Sequence, residues 1–195
     1  MTSFGKDRFP KKYQTHVGMS AGKKLHKNSI ELVDILNKHL ILKDNINIFE
    51  MGAGPCRNLY YIHKSNNSVN LYCNDLFYDA SFSDMHNDIK NKVIFHEGDS
   101  EEIFSTCKVK NIDLLLISDH MMHLQYEKAE NIITNILELW NPKYILLREI
   151  KKEGEAVTHP KLYHRYDRFL EKYFIIEDTS STQDNLYFIW LLKKK

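Results

Sequence analysis

Between residues 49 and 59 the chain reads Phe49-Glu50-Met51-Gly52-Ala53-Gly54-Pro55-Cys56-Arg57-Asn58-Leu59, two glycines one residue apart just after an acid. Glycines in such a place let the backbone turn sharply and approach a ligand with no side chain in the way. If a helix follows, its exposed N–H groups favour an anionic group such as a carboxylate. A dinucleotide-binding loop wants a small residue three positions after the second glycine, to admit a pyrophosphate and a close helix. Arg57 stands there, so the loop suits a ligand without a pyrophosphate.

Other chemistry-bearing residues follow in order. Asp75-Leu76 lies 21 residues after Gly54, and a carboxylate there can accept from hydroxyl donors. Gly98-Asp99-Ser100 is a common turn pattern whose weight comes from its position. Ser118-Asp119-His120-Met121-Met122-His123 carries two histidines that titrate near neutral pH, which makes His120 and His123 candidate catalytic bases. Three residues apart, they share a face if the segment is helical. A metal site would need further ligands, and none is expected. Arg148 suits a phosphate or carboxylate on a ligand, with His159 and Tyr163 as further candidate contacts in the stretch after it.

These residues need elements to hold them, and the hydrophobic pattern supplies an alternation of strands and helices. Asn28-Ser29-Ile30-Glu31 has the form of a capping box, predicting a helix with Ile30, Val33, Leu36 and Leu40 on one face. Strands are expected at 45–50, 69–75, 92–97, 112–117, 144–150, 174–177 and 186–192. The run at 112–117 is continuously apolar, as in a strand buried on both faces. Helices are expected at 55–63, 126–140 and 160–172, the second stopped by Asn141-Pro142.

Strands joined through helices require a parallel sheet with right-handed crossovers. The last two have no helix between them and should pair antiparallel at the sheet's edge. The expected fold is α/β and doubly wound: a mostly parallel seven-stranded sheet with an antiparallel last strand and helices on both faces, an α/β/α sandwich. Glu50, Asp75, Asp99 and Asp119 all fall at or just beyond carboxyl ends of strands, where open α/β sheets bind their ligands.

Taken together, Glu50, Gly52 and Gly54 resemble the first motif of the class I (Rossmann-like) S-adenosylmethionine-dependent methyltransferases, an acid followed by GxG at the end of strand one. The resemblance spans roughly residues 28–193, because the later motifs fall in order. It departs at Cys56, where the family often has a third glycine. What it implies is S-adenosylmethionine as cofactor and S-adenosylhomocysteine as product. The loop Glu50, Met51, Gly52, Ala53, Gly54 and Asn58 would bind the cofactor, Asp75 with Leu76 would hold the ribose hydroxyls, and Asp99 with Ser100 the adenine. Asp119 would stand at the junction of cofactor and acceptor. Tyr13, in a basic N-terminal arm, would fold over the cofactor as part of a lid that excludes water.

At 195 residues the chain has the length of one domain, read as an arm at 1–27 and a Rossmann-like core at 28–195 with an acceptor-side insertion at 151–172. Lys plus Arg number 27 against 26 acids, a balance that sets up no strong field for nucleic acid. The exception is local: Lys6, Arg8, Lys11, Lys12, Lys23, Lys24 and Lys27 crowd the first 27 positions. Three widely spaced cysteines without a CxxC pair fit reduced thiols. No apolar run approaches the roughly 20 residues of a membrane span, and no signal peptide is legible, so a cytoplasmic location is expected. The expected function is methyl transfer to a small-molecule acceptor, a metabolite or sugar, at oxygen. The alternatives are an RNA or protein methyltransferase, and a non-catalytic module that binds the cofactor or a partner. The identity of the acceptor and the oligomeric state are not legible.

Overall fold

A computed structural model describes residues 22–76, 85–109, 111–150, 154–155, 160–161, 170–181 and 187–195. Its strands are β1 (Asn47–Met51), β2 (Asn70–Asp75), β3 (Val93–Glu97), β4 (Leu114–Ser118), β5 (Tyr144–Ile150), the two-residue β6 (Gly154–Glu155) and β7 (Pro160–Lys161), β8 (Phe174–Ser181) and β9 (Tyr187–Lys194). The helices are α1 (Gly22–Lys38), α2 (Arg57–Ser65), the short α3 (Asn87–Lys90) and α4 (Ile103–Thr106), and α5 (Tyr126–Asn135).

Seven of the strands form one sheet in the order β3-β2-β1-β4-β5-β9-β8. β2 and β3 run parallel, as do β1 with β4 and β4 with β5. β9 runs antiparallel to both β5 and β8. This is the expected mixed α/β sheet, with β9 inserted between β5 and the edge strand β8. Among the described residues no helix is long and apolar enough to cross a membrane.

The chain divides into two compact units, one of residues up to 45 with 52–107, the other of 46–51 with 108–195. In the first, α1 buries Ser29, Leu32, Val33, Ile35 and Leu36. Two expectations about this helix are corrected: it begins at Gly22, so Asn28 to Glu31 lie inside it, and Ile30 and Leu40 are exposed. The buried stripe is set one residue over because Ser29 hydrogen-bonds to α2. There, Ser29 Oγ donates to Asn58 Oδ1 at 2.6 Å, and Arg57 Nε donates to Ser29 Oγ at 3.1 Å. A buried polar group needs such a partner, and this requirement outweighs the capping signal. α2 starts at Arg57, two residues later than Pro55, because Cys56 takes a left-handed φ of 56°.

In the second unit β4 is buried from Leu114 to Ile117, which explains its unbroken apolar sequence. Phe49 of β1 is fully buried and meets Trp140 with ring centroids 4.6 Å apart. Trp140 arrives there because α5 continues as a π-helical turn at Ile136–Trp140 and stops at Asn141, whose φ is 45°. The expected helix at 160–172 is corrected at its start, since Pro160–Lys161 pairs antiparallel with Gly154–Glu155. Proline fixes φ and lacks an N–H, which suits a strand without a ladder partner on that side as well as a first helical turn. Residues 162–169 lie outside the described residues.

Candidate functional site

In the first unit the glycine loop is built around two left-handed residues, Gly52 at φ 65° and Gly54 at φ 51°. Side chains rarely adopt these values, so the bend needs glycine. Its amides are tied to the end of β2: Ala53 N–H donates to the Asn74 carbonyl at 3.0 Å, and Gly54 N–H donates to Asp75 Oδ2 at 2.9 Å. Asp75 is half-buried, and its own carbonyl accepts from Gly98 N–H at 3.0 Å. Asn74, missed from the sequence, donates from Nδ2 to the Gly98 carbonyl at 3.2 Å and lies 3.5 Å from Ser100 Oγ. Asp99 accepts from Glu101 N–H at 3.0 Å through Oδ1, forming a local turn. The structure therefore brings together residues 52–54, Asp75 and 98–100. Leu76 follows, half-buried.

Asn58 is buried on Ser29, as described above. Cys56 explains itself locally: its left-handed backbone is where glycine is easiest, and its thiol is buried 3.3 Å from that of Cys73. The side chain fills space that a glycine would leave open. Tyr13, His159 and Tyr163 lie outside the described residues.

In the second unit Glu50 and Met51 are buried at the end of β1. β4 ends at Ser118, and the chain turns through Asp119, at φ 57°, into a 3-10 turn at Met121–His123. His120 is half-buried at the head of that turn and His123 is exposed at its end. The turn is held from β5. Asp119 N–H donates to the Arg148 carbonyl at 2.9 Å. Glu149 Oε1 accepts from His120 N–H at 3.0 Å and Met121 N–H at 2.8 Å, and Oε2 accepts from Met122 N–H at 3.2 Å.

Glu149 is completely buried. Burial pushes its carboxyl up to about 8, the negative charge of Asp119 adds to this, and the three amide donors pull it back. Arg148 is buried too, pairs through Nη1 with Asp119 Oδ2, and lies over the Tyr187 ring with its guanidinium carbon 4.4 Å from the centroid. Among the described residues Asp119 Oδ1 and Arg148 Nε are buried without a hydrogen-bond partner. No group of three or more metal-ligating side chains occurs among the described residues. Glu149 was missed as a site residue, although an acid inside the apolar run of β5 was the signal for it.

No family model and no curated protein matches this sequence. Solved structures do. Magnesium protoporphyrin IX methyltransferase ChlM from Synechocystis PCC 6803, with bound SAM, superposes with a TM-score of 0.67 at 15% identity, over 87% of this chain and 79% of that one. The same enzyme with bound SAH gives 0.68. PH0226 protein from Pyrococcus horikoshii OT3 gives 0.69 at 12% identity, over 96% of this chain and 100% of that one. The small RNA methyltransferase HEN1 gives 0.67 at 12% identity, over 86% of this chain but 25% of its own. With the strand order and the site geometry, these likenesses identify the fold of this chain as that of the class I S-adenosylmethionine-dependent methyltransferases.

Proposed function

We propose that this chain is an S-adenosylmethionine-dependent methyltransferase acting on a small-molecule acceptor at oxygen. The observation that carries the reading is the 2.9 Å hydrogen bond from Gly54 N–H to Asp75 Oδ2, which joins a bend of bare backbone to a carboxylate. That arrangement fits the cofactor. The left-handed glycines at 52 and 54 would let it approach the main chain with no Cβ in the way. The Asp75 carboxylate, which meets the Gly54 N–H, would accept the two ribose hydroxyls. The turn at Gly98 to Ser100 would take the adenine. When bound, the cofactor supplies a methyl carbon already activated by a positively charged sulfur.

The protein's part is therefore positioning and, for a hydroxyl acceptor, removal of a proton. His120 and His123 are the proposed bases. Arg148, whose Nε has no hydrogen-bond partner among the described residues, would steady an anionic group of the acceptor while it holds Asp119. Supporting a compact acceptor are the net charge of +1 and the ChlM likeness, since the name of that enzyme carries a small-molecule substrate.

A second reading, methylation of RNA, is favoured by the basic crowding of residues 6–27 and by the HEN1 likeness. Methyl-labelled S-adenosylmethionine offered with a panel of hydroxylated metabolites, an RNA pool and a protein extract decides between them. The proposal expects label in the metabolites, and His120→Ala or His123→Ala slowing transfer by about a hundredfold or more. Label entering RNA, with binding that falls steeply with salt, supports the second reading. Cofactor binding with no label in any fraction would leave a non-catalytic module.

A further inference from the structure

We propose that Glu149 is a positioning residue, whose carboxylate fixes the backbone of the turn after β4 and thereby the aim of His120 and His123. The bearing on catalysis rests on the methyltransferase reading above; the positioning itself does not.

Four successive amides, from Asp119 to Met122, end on two successive residues of β5. Asp119 is left-handed at φ 57° and His120 is right-handed at φ −108° and ψ −55°. Consecutive residues of opposite hand turn their N–H groups to one side and make a concave anion-binding nest. The anion here belongs to the chain itself. Glu149 Oε1 takes two of the amides and Oε2 the third, at 2.8 to 3.2 Å. An apolar residue would bury as well on β5 without the desolvation penalty of a carboxylate. The carboxylate instead does what an apolar side chain cannot, which is to hold three donors of a turn in register.

Arg148 braces the same turn from the neighbouring position, through its ion pair with Asp119 and its carbonyl on Asp119 N–H. Other titratable groups near the carboxylate are the Asp119 carboxyl and the imidazoles of His120 and His123 on the turn, and Tyr187 on β9, whose ring lies against Arg148. With burial raising the group to about 8, Glu149 changes charge near neutral pH. Protonation turns one acceptor oxygen into a donor, so the turn is held fully above that pH and loosens below it.

The test uses the full-length, isotope-labelled protein and nuclear magnetic resonance. In Glu149→Gln, the amides of residues 120–122 are expected to exchange with solvent at least about tenfold faster than in the wild type, with the remaining amides unchanged. In the wild type, those three amides and the imidazole signals of His120 and His123 should share an inflection near pH 8 that the variant lacks. Exchange of residues 120–122 unchanged by the substitution, or an inflection that survives it, overturns the proposal. Should Glu149→Gln not fold, the wild-type titration decides, and three amides without a common inflection overturn it. S-adenosylhomocysteine added to the same sample tests the methyltransferase reading separately: shifts at Gly52 and Gly54 support it, and their absence removes that reading while the result on the turn stands.

Discussion

Asp75 has two partners to satisfy, and they are separable. Its carboxylate accepts the Gly54 N–H, a task that an asparagine oxygen also performs, while the proposed grip on two hydroxyls needs charge. Asp75→Asn is therefore expected to keep folding stability within about 1 kcal/mol and to weaken S-adenosylhomocysteine binding by about 10- to 100-fold, as read by denaturation and calorimetry. Ser29 makes the opposite case. Ser29→Ala removes the buried donor to Asn58 Oδ1, and chemical denaturation should show a loss of about 1–2 kcal/mol. The two residues also differ in how far the sequence disclosed them. An acid at a strand end is visible as such, whereas Ser29 gains its meaning from Arg57 and Asn58, 28 and 29 positions away. Cys56 lies between these cases: its departure from glycine was visible, but the left-handed backbone and the buried contact with Cys73 were not.

At the scale of elements, strands were the more legible because β-branched and apolar runs of fixed length leave few alternatives. Helix starts were less so. Asn28 to Glu31 carries a capping pattern yet sits within α1, and Pro160 begins a strand where a helix was expected. Local signals of that kind are overridden by packing and by buried hydrogen bonds. The packing of β1 on the helix that precedes β5 gives a direct test: Phe49→Ala opens a void against Trp140 and should cost about 3–5 kcal/mol by urea denaturation.

The clasp of β5 on its turn gives another, in the pH dependence of stability. Glu149 is raised from 4.5 to about 8 in the folded chain, so between those values the native state holds a proton that the unfolded state has released. The cost of ionising this buried acid is absent below the lower value and complete once pH has risen through the upper one, even though the ionised form is the one that makes all three bonds to the turn. Asp113 acts in the other direction and at lower pH. Burial alone would raise it, but Lys143 at 2.7 Å and the Asn47 N–H hold it below its ordinary 3.8, so its contribution is lost in acid. Denaturation midpoints should fall between about pH 5 and about pH 8, and Glu149→Gln should flatten that slope. A wild-type slope of the opposite sign would contradict the assignment.

For the whole molecule, the alternation of strands and helices was enough to anticipate the mixed seven-stranded sheet, because a parallel pair requires a crossover and the short final loop forbids one. The insertion of β9 between β5 and β8 was not legible, since the pattern orders strands along the chain but not across a sheet. Candidate cofactor positions could be named for a related reason: glycines and acids at strand ends mark where such sheets bind ligands. Acceptor positions offer less to read: His159 and Tyr163 lie outside the described residues, and the turn of His120 and His123 is held by an acid buried in β5.

The central claim is that the bend at residues 52–54 and the carboxylate of Asp75 hold one molecule of S-adenosylmethionine. It is tested most directly by calorimetric titration of S-adenosylhomocysteine into the full-length chain and into Asp75→Asn. The account predicts saturable binding with one site per chain, weakened by the substitution. An absence of binding to the native chain, or binding of equal strength in both proteins, would contradict it.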